Sequence, residues 1–224
     1  AESDQVGSNF GSSVSSAGDV NGDGYSDVIV GAPDYDNGKI TGGRAFVFHG
    51  AASGLSVAAN WTAENNQFES KFGASVSTAG DVNGDGYNDV ISGAPDNDAG
   101  GLGAGRSYIF YGGIIPDNIP DVTLTGATIN DNFGFTVSEA EDVNFDGYDD
   151  VIMGTPYDNT GGTEAGRVFV YFGGILPDNA ADVILTGLNT YGFFGKSVSS
   201  AGDMNGDGYS DVIVGADYDD GGGI

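Results

Sequence analysis

The chain has 224 residues, no cysteine, and 33 Asp plus Glu against 6 Lys plus Arg, a formal net charge of −27 at pH 7. So acidic a surface repels phosphate backbones and anionic bilayers, which argues against nucleic acid or a membrane as partner. The missing cysteines exclude disulfides as a source of stability, the 41 glycines count against long helices, and no run of about 20 apolar residues could span a bilayer.

The first residues, Ala1-Glu2-Ser3-Asp4-Gln5, match Ala63-Glu64-Asn65-Asn66-Gln67 farther along, which implies a start in mid-repeat or processing there. Phe10-Gly11 follows, and then an acidic loop, Asp19-Val20-Asn21-Gly22-Asp23-Gly24-Tyr25-Ser26-Asp27. The same nine-residue pattern returns at 81–89, 142–150 and 203–211, with first aspartates 62, 61 and 61 residues apart. A fixed period in this range marks a propeller, solenoid or array.

Within each loop, oxygen-bearing side chains fall at positions 1, 3, 5 and 9, with glycine at position 6. They are Asp19, Asn21, Asp23 and Asp27; Asp81, Asn83, Asp85 and Asp89; Asp142, Asn144, Asp146 and Asp150; and Asp203, Asn205, Asp207 and Asp211. That alternation is expected to turn the carboxylates toward one point, and Ca²⁺ takes six to eight hard oxygens of this kind. Asp, Asn and Gly also build turns without any metal. Four copies at one relative place, each gathering mutually repelling aspartates, favour a cation, and Mg²⁺ suits so many carboxylates poorly. An EF-hand is excluded because it needs a bidentate Glu at position 12, where this chain has Val30, Ser92, Met153 or Val214. A nonapeptide calcium repeat is excluded by the long period.

After the loops come short β-branched runs, such as Asp89-Val90-Ile91-Ser92-Gly93-Ala94, that end in turn residues. One repeat contains four predicted strands, over 72–79, 89–94, 105–112 and 121–126. Four short strands per unit, with turn signals between them and no helical periodicity, are the arithmetic of one propeller blade.

These residues resemble the FG-GAP repeat, the blade of the integrin α-subunit propeller and of many bacterial secreted proteins. Phe10-Gly11 pairs with Gly31-Ala32-Pro33, Phe72-Gly73 with Gly93-Ala94-Pro95, Phe133-Gly134 with Gly154-Thr155-Pro156, and Phe194-Gly195 with Gly215-Ala216-Asp217. The resemblance implies an all-β propeller whose loops join the first two strands of each blade and hold Ca²⁺ on one face, four sites in all. It adds the position 7 carbonyls of Tyr25, Tyr87, Tyr148 and Tyr209 to the ligand set. Thr155 and Asp217 depart from the motif only at its turn, and Phe145 replaces the position 4 glycine of the third loop.

The repeats divide the chain into 10–71, 72–132, 133–193 and an incomplete 194–224, about three and a half blades. Propellers close with four to eight, and a partial one leaves open sheet edges. Two readings follow: a piece of a longer chain, or a subunit whose edges are covered by other copies of itself. Arg44, Arg106 and Arg167 are expected to pair with the acidic connections between blades. The alternating Phe46, Phe48, Tyr108, Phe110, Phe169 and Tyr171 are expected to pack between blades, and Trp61 to hold the core position of Leu124 and Leu185. His49, the only histidine, has no evident nucleophile partner.

The functional expectation is a non-catalytic, calcium-stabilised, extracellular propeller for adhesion or binding of a protein or carbohydrate ligand. Loops without a bidentate Glu suit a calcium-rich medium, and four Ca²⁺ would bring the charge from −27 to −19. The alternatives are a self-assembling subunit of an extracellular filament or surface layer, and the scaffold of a secreted carbohydrate-active enzyme.

Overall fold

The computed structural model describes residues 3–36, 38, 40–65, 67–175 and 179–218. Ala1, Glu2 and Asn66, which carry part of the N-terminal sequence match, and residues 219–224 at the end of the fourth repeat lie outside them. All regular structure among the described residues is β.

The first sheet contains β1 (Ser13–Gly18), β2 (Asp27–Ala32), β3 (Arg44–Phe48) and β4 (Trp61–Ala63), hydrogen-bonded in that order. The second holds β5 (Ser75–Gly80), β6 (Asp89–Ala94), β7 (Arg106–Phe110) and β8 (Val122–Thr125), and the third β9 (Thr136–Glu141), β10 (Asp150–Thr155), β11 (Arg167–Tyr171) and β12 (Val183–Thr186). A fourth sheet pairs β13 (Ser197–Gly202) with β14 (Asp211–Gly215). Every pairing is antiparallel between chain neighbours, which is the meander of a propeller blade. The inner strands β1, β5, β9 and β13 lie side by side in chain order.

Burial explains which residues form these strands. β6 and β10 are covered on both faces and buried throughout, so their sequences are continuous apolar runs rather than alternating ones. The core lies between successive sheets. Val47, Ala63 and Trp61 of the first meet Phe72, Val76, Val90 and Phe110 of the second, and Ile109, Leu124 and Val122 meet Phe133, Val137, Val151 and Tyr171 of the third. Each FG phenylalanine packs on both aromatics of its own third strand: Phe10 on Phe46 and Phe48, Phe72 on Tyr108 and Phe110, and Phe133 on Phe169 and Tyr171, at 5.3–6.3 Å.

One expectation holds at this level and two change. The third-strand aromatics pack between blades as expected, Tyr108 and Phe110 against Val47 and Ala63 and Tyr171 against Ile109 and Leu124. The Trp61 ring lies 5.1 Å from that of Phe110, and the third-strand aromatics also meet the FG ring of their own blade. Trp61 pairs with Val47 as Val122 pairs with Ile109, so its counterparts are Val122 and Val183, and Ala63 is the counterpart of Leu124. Arg44 pairs with Glu64 in the connection to the next blade at 2.7 Å. Arg167 pairs with Asp158 inside its own blade, and Arg106 donates to the Thr125 hydroxyl at 3.0 Å instead.

The FG and GAP glycines are where backbones of neighbouring blades touch. A Cβ on Gly31 would stand 2.0 Å from the Gly73 carbonyl oxygen, one on Gly93 2.0 Å from that of Gly134, and one on Gly154 1.9 Å from that of Gly195. Within a blade the FG glycine amide donates to the GAP glycine carbonyl, as Gly73 does to Gly93 at 3.0 Å. Gly93→Ala should therefore force adjacent sheets apart and cost about 1–3 kcal/mol. Denaturant midpoints check this, and an unchanged midpoint would show that the contact is loose.

Candidate metal-binding loops

Each acidic loop joins the first and second strands of its sheet, so all four lie at one end of the sheets. The turn into each loop begins with a bulge: register shifts between Ser16 and Gly18, Thr78 and Gly80, and Ser200 and Gly202. The bulged alanines Ala17, Ala79 and Ala140 are fully buried. Gly18, Gly80 and Gly202 have φ of 71°, 73° and 62°, and Glu141 holds the same place at 56°.

Position 1 organises the loop by accepting its amides. Asp19 Oδ1 takes the N–H groups of Gly22 and Asp23 at 2.8 and 3.1 Å, and Oδ2 takes that of Gly24 at 2.8 Å. Asp81 and Asp203 repeat the pattern. The three amides around Asp203, with that of Gly208 foremost, hold its carboxyl below the usual range. Asn21, Asn83, Asn144 and Asn205 accept from the position 5 amide, and Asp23, Asp85, Asp146 and Asp207 accept from the amide of the position 7 tyrosine.

The third loop keeps this plan with Phe145 at position 4. The residue takes φ of 62°, and its ring lies 5.6 Å from that of Tyr209. In the first two loops, a Cβ at Gly22 or Gly84 would meet the ring of Tyr87 or Tyr148 at 2.5 Å. Asp142 accepts from the amides of Asp146 and Gly147.

Position 9 differs from the rest. Asp27, Asp89 and Asp150 are at most 1% exposed, and each ties the loop to the end of the third strand. Asp89 Oδ2 accepts from Val82 at 3.0 Å and Oδ1 from Gly112 at 2.8 Å. Asp27 holds Val20 and Gly50 in the same way, and Asp150 holds Val143 and Gly173. Asp211 accepts from Met204. Burial, reinforced by neighbouring loop aspartates, pushes Asp89 up to about 8 and Asp150 up to about 6, and raises Asp27.

The sequence reading missed position 8, which links one loop to the one before it. Asn88 Oδ1 accepts from the Asp19 amide at 2.9 Å, and Asp149 Oδ2 from that of Asp81 at 2.7 Å. The backbone amides of Asn88, Asp149 and Ser210 donate in return to the carbonyls of Asp19, Asp81 and Asp142. Ser210 is short enough to leave room for Glu141, to whose carboxylate it donates at 3.0 Å. The available signal was an oxygen-bearing side chain at position 8 in all four loops.

The structure thus brings positions 1, 3, 5 and 9 into one loop, but among the described residues no three His, Cys, Asp or Glu side chains form a group close enough to hold a metal. The expected convergence is incomplete because most of these oxygens, as in the second loop both of Asp81 and of Asp89 and one each of Asn83 and Asp85, are turned toward backbone amides. The donors nevertheless suit a hard divalent ion, because they are carboxylate and carboxamide oxygens.

Comparison with known proteins agrees with this architecture. The FG-GAP repeat pattern matches residues 10–48, 72–110, 133–171 and 194–224. The chain belongs to the FG-GAP repeat family. It is 35% identical over 159 residues to integrin alpha-5 of Xenopus laevis, covering 67% of this chain and 14% of that protein. It is 33% identical over 164 residues to integrin alpha-3 of Cricetulus griseus, covering 70% and 15%. A third relative, the phosphatidylinositol-glycan-specific phospholipase D of Bos taurus, is 33% identical over 168 residues, covering 70% and 20%. The chain therefore spans a fifth or less of the length of these relatives, and its sheets are blades of an integrin-like β-propeller.

Two outcomes follow from the position 9 geometry. Folded-state values raised above the ordinary 3.8 mean that ionising Asp150 and Asp89 opposes folding. That contribution is complete below about 4 and is lost as pH rises through about 6 and then about 8. Thermal melts in calcium-free buffer should fall across this window, and a flat or rising profile contradicts the assignment. In the same buffer Asp89→Ala, which strands two amides, should cost about 2–4 kcal/mol. The exposed Asp85→Ala should cost no more than about 0.5 kcal/mol; equal losses would deny position 9 its separate role.

Proposed function

We propose that this chain is a calcium-stabilised, extracellular stretch of propeller that binds a protein or carbohydrate ligand without catalysis. The observation that carries the calcium reading is the repetition of one hydrogen-bonded acidic loop four times. The site residues would be Asp19, Asn21, Asp23 and Asp27 with the Tyr25 carbonyl, and their counterparts in the other loops. Bound calcium would supply positive charge among carboxylates that otherwise repel, favouring the ionised form of the buried Asp27, Asp89 and Asp150. The family resemblance supports the extracellular setting and the ligand-binding role. No helix among the described residues is long and apolar enough to cross a membrane.

Ligand binding is assigned to the end of the sheets opposite the loops. A cleft of about 460 Å³ lies there between the blade connections, lined by Glu69, Asp96 and Asp98 beside exposed Phe68 and Leu102. Carboxylates around apolar side chains suit a basic or hydroxylated ligand with an apolar part.

Metal that binds only the folded state stabilises it by mass action. Removing calcium should lower the melting temperature markedly, and calorimetric titration of the stripped protein should return four sites per chain. An unchanged melt after chelation would reduce the loops to plain turns.

A further inference from the structure

The repeats are not equivalent where the second blade hands over to the third. A cavity of about 160 Å³ opens there, lined by Asp131, Thr155, Asp158 and Arg167 with the rings of Phe133 and Phe169. Asp131 is 4% exposed, and Thr155 and Asp158 1%. Asp158 is ion-paired with Arg167, and burial first, then the neighbouring Asp158 carboxyl, pushes Asp131 up to about 6. Three polar atoms remain without a protein partner: Asp131 Oδ1, the Thr155 hydroxyl and Arg167 Nε. Buried groups of this kind are costly when unmatched.

The same place one blade earlier has a groove of about 260 Å³ that includes Asn65 and Tyr108. Ser70, Ala94, Asn97 and Tyr108 stand where the third blade has Asp131, Thr155, Asp158 and Phe169. Ser70 donates to Asn65 at 2.7 Å, and Asn97 donates to Tyr108 at 3.1 Å. The counterpart of Asn65 is Gly126, which withdraws a side chain from the space. The first groove keeps a single unmatched atom on these residues, Asn65 Nδ2, whereas the second has three, on two charged side chains and a threonine.

We infer that this inter-blade cavity binds a small neutral polyhydroxylated molecule, no larger than a single sugar ring. The inventory of unmatched atoms decides between ligand classes. A hydroxyl can donate to Asp131 Oδ1, and another can accept from Arg167 Nε–H while meeting the Thr155 hydroxyl. A cation would match Asp131 but leave the Arg167 donor unmet and face its charge. An anion would fail against two carboxylates. The rings of Phe133 and Phe169 supply apolar walls for the carbon skeleton of a polyol or sugar. The volume is several times what a single water needs.

Saturation-transfer NMR on the whole chain with glycerol, erythritol and methyl glucopyranoside as probes tests this. At least one probe should give a saturable response. Asp131→Ser and Thr155→Ala restore the residues of the preceding blade, and each should weaken that response about tenfold or more, since each removes a hydrogen bond at a buried site. A strictly linear response to all three probes, meaning that water alone fills the cavity, overturns the proposal. So does an unchanged saturable response in either variant, which would place binding elsewhere on the acidic surface. Should Asp131→Ser melt early, the Thr155→Ala comparison decides alone.

Discussion

The bond on which the architecture depends runs from the last aspartate of each of the first three acidic loops to two backbone amides. Asp89 joins the start of its loop at Val82 to the end of the third strand at Gly112, so one buried side chain fixes loop, second strand and third strand together. Taking a carboxylate out of water is costly, and the two amide hydrogen bonds offset only part of that cost, which is why Asp89 is pushed up to about 8. A cation on the outer side of the same carboxylate would favour its charged form. The loop is thus both a fold element and a candidate metal site.

Two further devices turn these units into an array. At one end, position 8 of each loop grips the first residue of the loop before it, through Asn88 to Asp19 and Asp149 to Asp81. At the other end, the FG and GAP glycines let backbones of adjacent blades meet without intervening side chains. Between these ends, interleaved apolar side chains fill the space. The latch just before the FG phenylalanine varies in chemistry along the chain. Lys71 pairs with Asp34, Asn132 bonds Asp96 at 2.8 Å, and Phe193 packs on Tyr157 at 5.8 Å. Geometry is preserved there while the interaction is exchanged.

The third repeat departs most from the shared plan. Glu139 and Glu141 take places held by Ser16, Thr78 and Ser200 and by glycines, and burial beside Asp149 and Glu141 pushes Glu139 up to about 7. Phe145 caps the loop, and the cavity near Asp131 is floored with charge. These changes fall in the third blade and at its junction with the second.

The sequence by itself determined the fold class, because a 61-residue period and four runs of strand residues per period leave little but a propeller blade. It also marked positions 1, 3, 5 and 9 of every loop, since alternating oxygen-bearing residues around glycine are a local pattern. What only the tertiary structure decided depends on residues distant in sequence. Position 9 proved to be a buried latch because its partners, Gly50, Gly112 and Gly173, lie a whole strand pair away. Trp61 proved to match Val122 because register follows from pairing rather than from counting. The divergent partners of Arg44, Arg106 and Arg167, and the unmatched floor of the inter-blade cavity, arise where two blades close on each other, a contact that no local pattern encodes.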